Sequence, residues 1–120
     1  TVAKATKEHV EADGEFDAKG LRAVESATGI GALVATMHEF VESRVVLESA
    51  CLAVQDMNNE CDGEHKARVG NAGVIEALAV AMKRHTKSVK LQLLGCSILR
   101  NLTRSNDENK ARAQDAGAVE

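Results

Sequence analysis

Apolar residues recur at steps of three and four through most of the chain, and the clearest run is SVKLQLLGCSILRNLT (88–103). Leu91, Leu94, Ile98, Leu99 and Leu102 fall along one side of a 3.6-residue helix, so the run predicts a helix with that side buried. Gly95 sits in its middle, where Gly costs about 1 kcal/mol of helix propensity relative to Ala. The position reads as a packing notch, a place where a neighbouring helix comes close. Upstream, VLESACLAVQDMN (46–58) is a weaker copy displaced by 45 positions: Val46 matches Leu91, Ala50 matches Gly95, Cys51 matches Cys96, Val54 matches Leu99 and Met57 matches Leu102. A second set of matches lies 44 positions apart. It relates Gly29, Gly73 and Gly117, and it relates HKARVGNAGVIE (65–76) to NKARAQDAGAVE (109–120). Self-similarity at this period marks a repeat architecture.

The same pattern lays out the rest. Val2 to Glu11 is a polar helix that Asp13-Gly14 is expected to stop, and Asp17 is placed to cap a short helix through Leu21, Val24 and Glu25. After a break at Thr28-Gly29, Ile30, Leu33, Val34, Met37 and Phe40 or Val41 form the stripe of a further helix. A corner at Glu42-Ser43 leads into a helix from Arg44 to Met57, and Asn58 to Glu64 is a loop. His65 to Asn71 is a short helix and Ala72-Gly73 a turn. Val74, Ile75, Leu78, Ala81 and Met82 form the next stripe, and His85-Thr86-Lys87 is the corner into the long helix. A loop at Asn106 to Glu108 precedes a short helix from Asn109 to Asp115, and the last five residues match the start of the helix at Val74. The divisions are therefore 1–16 as an N-terminal cap or partial repeat, 17–64 and 65–108 as repeats, and 109–120 as the start of another. Gly29, Gly73 and Gly117 are expected at equivalent turns, and any β-sheet, or different local structure at Gly29 and Gly73, would sink the repeat reading. Leu94, Ile98, Leu99, Leu102, Cys51, Val54 and Met57 are the expected core.

Composition narrows the class. The only aromatic residues are Phe16 and Phe40 and there is no Pro, so Ala, Val and Leu must fill the core and little opposes helix. No apolar run approaches the roughly 18–20 residues of a membrane span, and no signal-peptide pattern opens the chain. Three cysteines without CxxC spacing argue against a disulfide framework and for a reducing compartment, the cytoplasm or the nucleus. Net charge is −3, unevenly spread: 7 basic and 14 acidic residues up to Val80, then 8 basic and 4 acidic. Ends of opposite sign suit head-to-tail contact between chains. A mildly acidic chain without a basic tract gives no reason to expect nucleic-acid binding.

Catalytic patterns are missing. The chain has no Gly-rich phosphate loop, no HExxH and no Ser-His-Asp ordering. His9, His38, His65 and His85 are scattered, and Cys51 and Cys96 occupy matching positions expected to face inward as small apolar residues. Cys61 lies in the loop NNECDGE, which lacks the alternating oxygen ligands of a calcium loop. No enzyme activity, cofactor or metal is expected.

The order of short helix, glycine turn, medium helix, corner and long helix resembles the armadillo repeat, the three-helix module of the β-catenin and importin-α families. QLLGCSILRNLT (92–103) is similar to the third armadillo helix, and NDENKARAQDAGAVE (106–120) to the next short helix with its Ala-Gly turn. The resemblance implies an all-α, right-handed solenoid. It also implies a protein-interaction scaffold in which third helices line a concave face and an Asn near the end of each bonds a partner's backbone. That position is held by Asn101 in one repeat and Asp56 in the other; the aromatic position of the family is held by Ser97 and Leu52. Leu52, Gln55, Asp56, Ser97, Arg100, Asn101 and Arg104 are the expected partner-binding residues. Arg100 and Arg104, four apart, are expected to favour an acidic protein or extended peptide. The alternative is a structural segment that stacks on further repeats or self-associates end to end, without a dedicated peptide groove.

Overall fold

The computed structural model describes residues 2–58 and 63–117, and among them the secondary structure is entirely helical. The helices are α1 (Val2–Ser26), α2 (Ile30–Glu39), α3 (Arg44–Asn58), α4 (Gly63–Asn71), α5 (Val74–Arg84), α6 (Val89–Thr103) and α7 (Asp107–Asp115). Helices α5, α6 and α7 begin 44, 45 and 44 positions after α2, α3 and α4. Counterparts also pack on one another, α3 chiefly on α6, α2 on α5 and α4 on α7, while α1 packs on α3 and α2.

The stripes identified in sequence meet in one core. Leu33, Met37, Leu47, Cys51, Val54, Ile75, Leu78, Leu91, Ile98, Leu99 and Leu102 are buried together, with Leu94 half-buried against them. Gly95 is a notch: a Cβ there would meet Met82 of α5, whose Sδ would lie 2.5 Å away. At the other end Gly20 of α1 lies against Phe40 and Val46, and the Phe16 ring contacts Phe40 with centroids 4.7 Å apart.

The two long helices start by the same device. Ser43 Oγ accepts from the Val46 N–H at 3.2 Å, and Ser88 Oγ accepts from the Leu91 N–H at 3.1 Å, each satisfying an N–H that has no partner within its helix. Each hydroxyl also donates to a carboxylate earlier in the chain, Ser43 to Asp17 Oδ1 and Ser88 to Glu48 Oε2. Asn106 caps α7 through the Asn109 N–H at 2.9 Å. Its first turn then carries Asp107 and Glu108, where negative charge suits the helix dipole. The expected loop at Asn106 to Glu108 is therefore a cap and a helix start.

Several expectations need correction. Asp13-Gly14 does not stop the first helix: α1 runs unbroken from Val2 to Ser26, because one Gly without a Pro is too small a cost to end it. Gly29 and Gly73 both precede their helices, but Gly73 is left-handed at φ 95° and Gly29 is extended at φ 177°. Gly73 closes the two-residue turn between α4 and α5, and Gly117 shares its left-handed backbone at φ 73°; the longer link at 27–29 needs no such reversal. The difference contradicts the expectation of equivalent turns, on which the repeat reading depends; what remains is the 44- and 45-residue spacing of the helix starts. Met57 is 38% exposed rather than buried, since α4 does not pack on α3 as closely as α7 packs on α6 over Leu102. Cys96 is exposed while Cys51 is buried, because α6 covers Cys51 and no described helix covers Cys96 in the same way. Cys61 and the last three residues lie outside the described residues.

Candidate functional site

The face expected to bind a partner is built from α3 and α6. Their contact positions the candidate residues: Val54 and Ile98 anchor the interface below, and Gln55 Nε2 donates to Ser97 Oγ at 3.3 Å on the surface above. Leu52, Asp56, Arg100 and Arg104 are exposed beside this bond, and Gln55 and Asn101 are half-buried. Arg104 departs from the expected geometry. It is the residue that closes α6, with extended backbone at φ −62° and ψ 121°, so it does not continue the helical row of Arg100. Its carbonyl accepts from Lys66 Nζ at 3.0 Å, which ties α4 to the end of α6. Asp56, Arg100 and Arg104 form no ion pair with a described residue.

The two thiols differ sharply. Burial pushes the Cys51 thiol up to about 12, with the nearby Glu48 charge adding to the effect. A thiol so rarely ionised is a core residue rather than a nucleophile. Glu48 is itself buried and yet its carboxyl lies below the ordinary glutamate value. Burial alone would raise it; hydrogen bonds from Arg44 and Ser88, and the charges of Arg44 and Lys90, outweigh that. Among the described residues no group of three or more His, Cys, Asp or Glu side chains is placed to hold a metal ion. No described helix is long and apolar enough to cross a membrane.

Two features escaped the sequence. Asn109, read there only as the start of a helix, is a buried amide whose Nδ2 donates to the Lys66 carbonyl at 3.0 Å and the Leu102 carbonyl at 2.9 Å. Basic residues also gather at the corner before α6, where Arg84, His85 and Lys87 meet Arg44. The run Lys83-Arg84-His85-Thr86-Lys87 was visible in sequence, but its distant companion Arg44 was not. Comparison with protein-family models, with curated proteins and with solved structures gave no match.

Proposed function

We propose that the chain is a segment of a right-handed, armadillo-type α-solenoid whose α3–α6 face binds a protein or extended-peptide partner in the cytoplasm or nucleus. The observation that carries this reading is the Gln55–Ser97 bond. It joins the surfaces of two helices at matching positions in the chain into one, with Asp56 and Asn101 at matching positions and Arg100 and Arg104, which form no ion pair among the described residues, beside them. Asn101 offers both a donor and an acceptor to a passing backbone, whereas the Asp56 carboxylate only accepts. The arginines give the Asn101 end a preference for acidic residues. The test is selection of peptides from a display library, followed by anisotropy titration at a stated low salt concentration. Loss of a hydrogen-bonded contact worth about 1–1.5 kcal/mol predicts a roughly five- to tenfold weaker complex for Asn101→Ala. The Arg100→Glu/Arg104→Glu double variant should reject acidic peptides. Unchanged affinity in both variants would remove the function from this face.

A second reading, stacking of further helices or of another chain on the open side of α6, is favoured by one comparison. Thr36 and Glu48 are 7% and 8% exposed under α5 and α6, while their counterparts Val80 and Leu93 are 47% and 66% exposed. Sedimentation across a wide concentration range, comparing the chain with Leu93→Glu, tests it: concentration-dependent association that the substitution abolishes is the expected result.

A further inference from the structure

The corner between α5 and α6 encloses an open cleft of about 440 Å³ lined by Arg44, Arg84, His85, Thr86, Lys87 and Ser88. It lies at the start of α6, about 20 Å along that helix from Asn101 at 1.5 Å per residue, and so is separate from the proposed partner face. Three permanent positive charges, Arg44, Arg84 and Lys87, face two carboxylates, Glu42 and Glu48. The carboxylates are not equivalent. Glu48 is buried, accepts from Arg44 Nη1 at 2.8 Å and from Ser88 Oγ at 2.9 Å, and holds Arg44 at the rim. Glu42 is on the surface and takes both Nε and Nη2 of Arg84, at 3.1 and 2.6 Å, with both side chains more than half exposed. Both side chains of that pair stand open to screening solvent, so a multiply charged anion can compete with Glu42 for Arg84. Lys87 is exposed and has no ion-pair partner among the described residues. The rim is held in place from beneath: His85 Nε2 lies 2.7 Å from the Val41 carbonyl, which can only accept, so that nitrogen carries the hydrogen. Gln92 Nε2 donates to the His85 and Met82 carbonyls at 3.0 and 2.9 Å, fixing the corner's backbone.

We infer that this cleft binds a compact polyanion carrying two or more phosphate or carboxylate groups. One anionic group would sit between Arg44 and Lys87, and a second would displace Glu42 from Arg84. Guanidinium forks and an ammonium group together suit oxygen-rich anions. The two unequal carboxylates supply selectivity: buried Glu48 positions an arginine, while exposed Glu42 closes the site weakly when it is empty.

The experiment is a titration of the ¹⁵N-labelled chain with sodium pyrophosphate, and separately with citrate, at low ionic strength, followed by amide shifts. Sodium chloride at matched ionic strength is the control. The expected result is saturable shifts concentrated at Arg44 and at residues 84–88, with pyrophosphate alone or with both anions. Arg84→Gln/Lys87→Gln should weaken binding at least tenfold while Lys110→Gln changes it less than twofold. Because Arg84 and Lys87 are exposed, the double variant should keep the wild-type amide spectrum elsewhere, which separates lost binding from lost folding. Shifts spread over the basic residues at large, equal shifts with chloride, or an unchanged dissociation constant in the double variant would overturn the inference. Binding at this corner is read independently of peptide binding at Asn101, so failure of either leaves the other standing.

Discussion

Replacing Asn109 by Ala should cost far more than its place in a short polar helix suggests. The side chain is 1% exposed and spends both amide hydrogens on backbone carbonyls of other elements, Lys66 in α4 and Leu102 in α6. Leu102 is in the last turn of α6, where carbonyls lack a partner within the helix, so the amide closes an acceptor that would otherwise be buried and empty. Each bond contributes about 1 kcal/mol net, and an acceptor left buried and unpaired adds about 1–3 kcal/mol. The sum for Asn109→Ala is about 3–5 kcal/mol, read as a lower urea midpoint at unchanged slope. Asn109→Asp keeps the shape but cannot donate and aims a charge at two carbonyl oxygens, so it should lose at least as much. The amide also sits over Gly70, where an added Cβ would lie 2.8 Å from Asn109 Cγ. Gly70→Ala should therefore be costly alone and nearly neutral, or stabilising through helix propensity, in the Asn109→Ala background. A loss below about 0.5 kcal/mol for both Asn109 substitutions, or strict additivity with Gly70→Ala, would refute the reasoning.

Other outcomes follow from the same packing. Glu48→Gln should destabilise the chain at neutral pH. The folded carboxyl titrates below its unfolded value, so the contribution of Glu48 is present above the unfolded value and is lost as pH falls through the folded one. Urea unfolding at pH 7 and at progressively acid pH should show the gap between wild type and variant closing on the acid side. In a Cys61→Ser background a thiol reagent should label Cys96 rapidly and Cys51 only on unfolding, given burial and a thiol pushed up to about 12; rapid labelling of both by mass spectrometry would contradict this. Leu99→Ala should cost about 2–5 kcal/mol as a large-to-small core change, and denaturation with a loss under about 0.5 kcal/mol would place that face outside the core. Gly20→Ala should lower the melting temperature, because its Cβ would press on Val46 and the Phe40 ring, whereas Gly14→Ala, with open space around it, should raise it slightly.

Much of the helix layout was legible because apolar spacing and corner residues agree over long runs. The stripe of Leu91, Ile98, Leu99 and Leu102 and its copy at Val46 to Val54 carried both the helices and their burial. What the stripe alone does not say is which neighbour covers it. Cys96 and Met57 match buried partners in sequence, yet their exposure depends on helices packed against them from elsewhere. Gly29 failed for a related reason: a glycine's position is readable, but its dihedrals follow from the length of the link it belongs to. The candidate face was legible only as a list of equivalent positions. The Gln55–Ser97 bond joins residues 42 positions apart, and the corner cluster assembles only when Arg44 at the start of α3 meets Arg84 to Ser88 before α6. Asn109 gave no signal because a buried amide and an exposed one look alike in a polar helix.

The serines that start α3 and α6 carry a direction in time. Each hydroxyl gives its hydrogen to a carboxylate that comes earlier in the chain, Asp17 for Ser43 and Glu48 for Ser88. During synthesis the acceptor therefore emerges before the donor. Both acceptors are therefore already outside the ribosome when the first turns of α3 and α6 emerge, and each long helix is tied at its start to the part of the chain made before it.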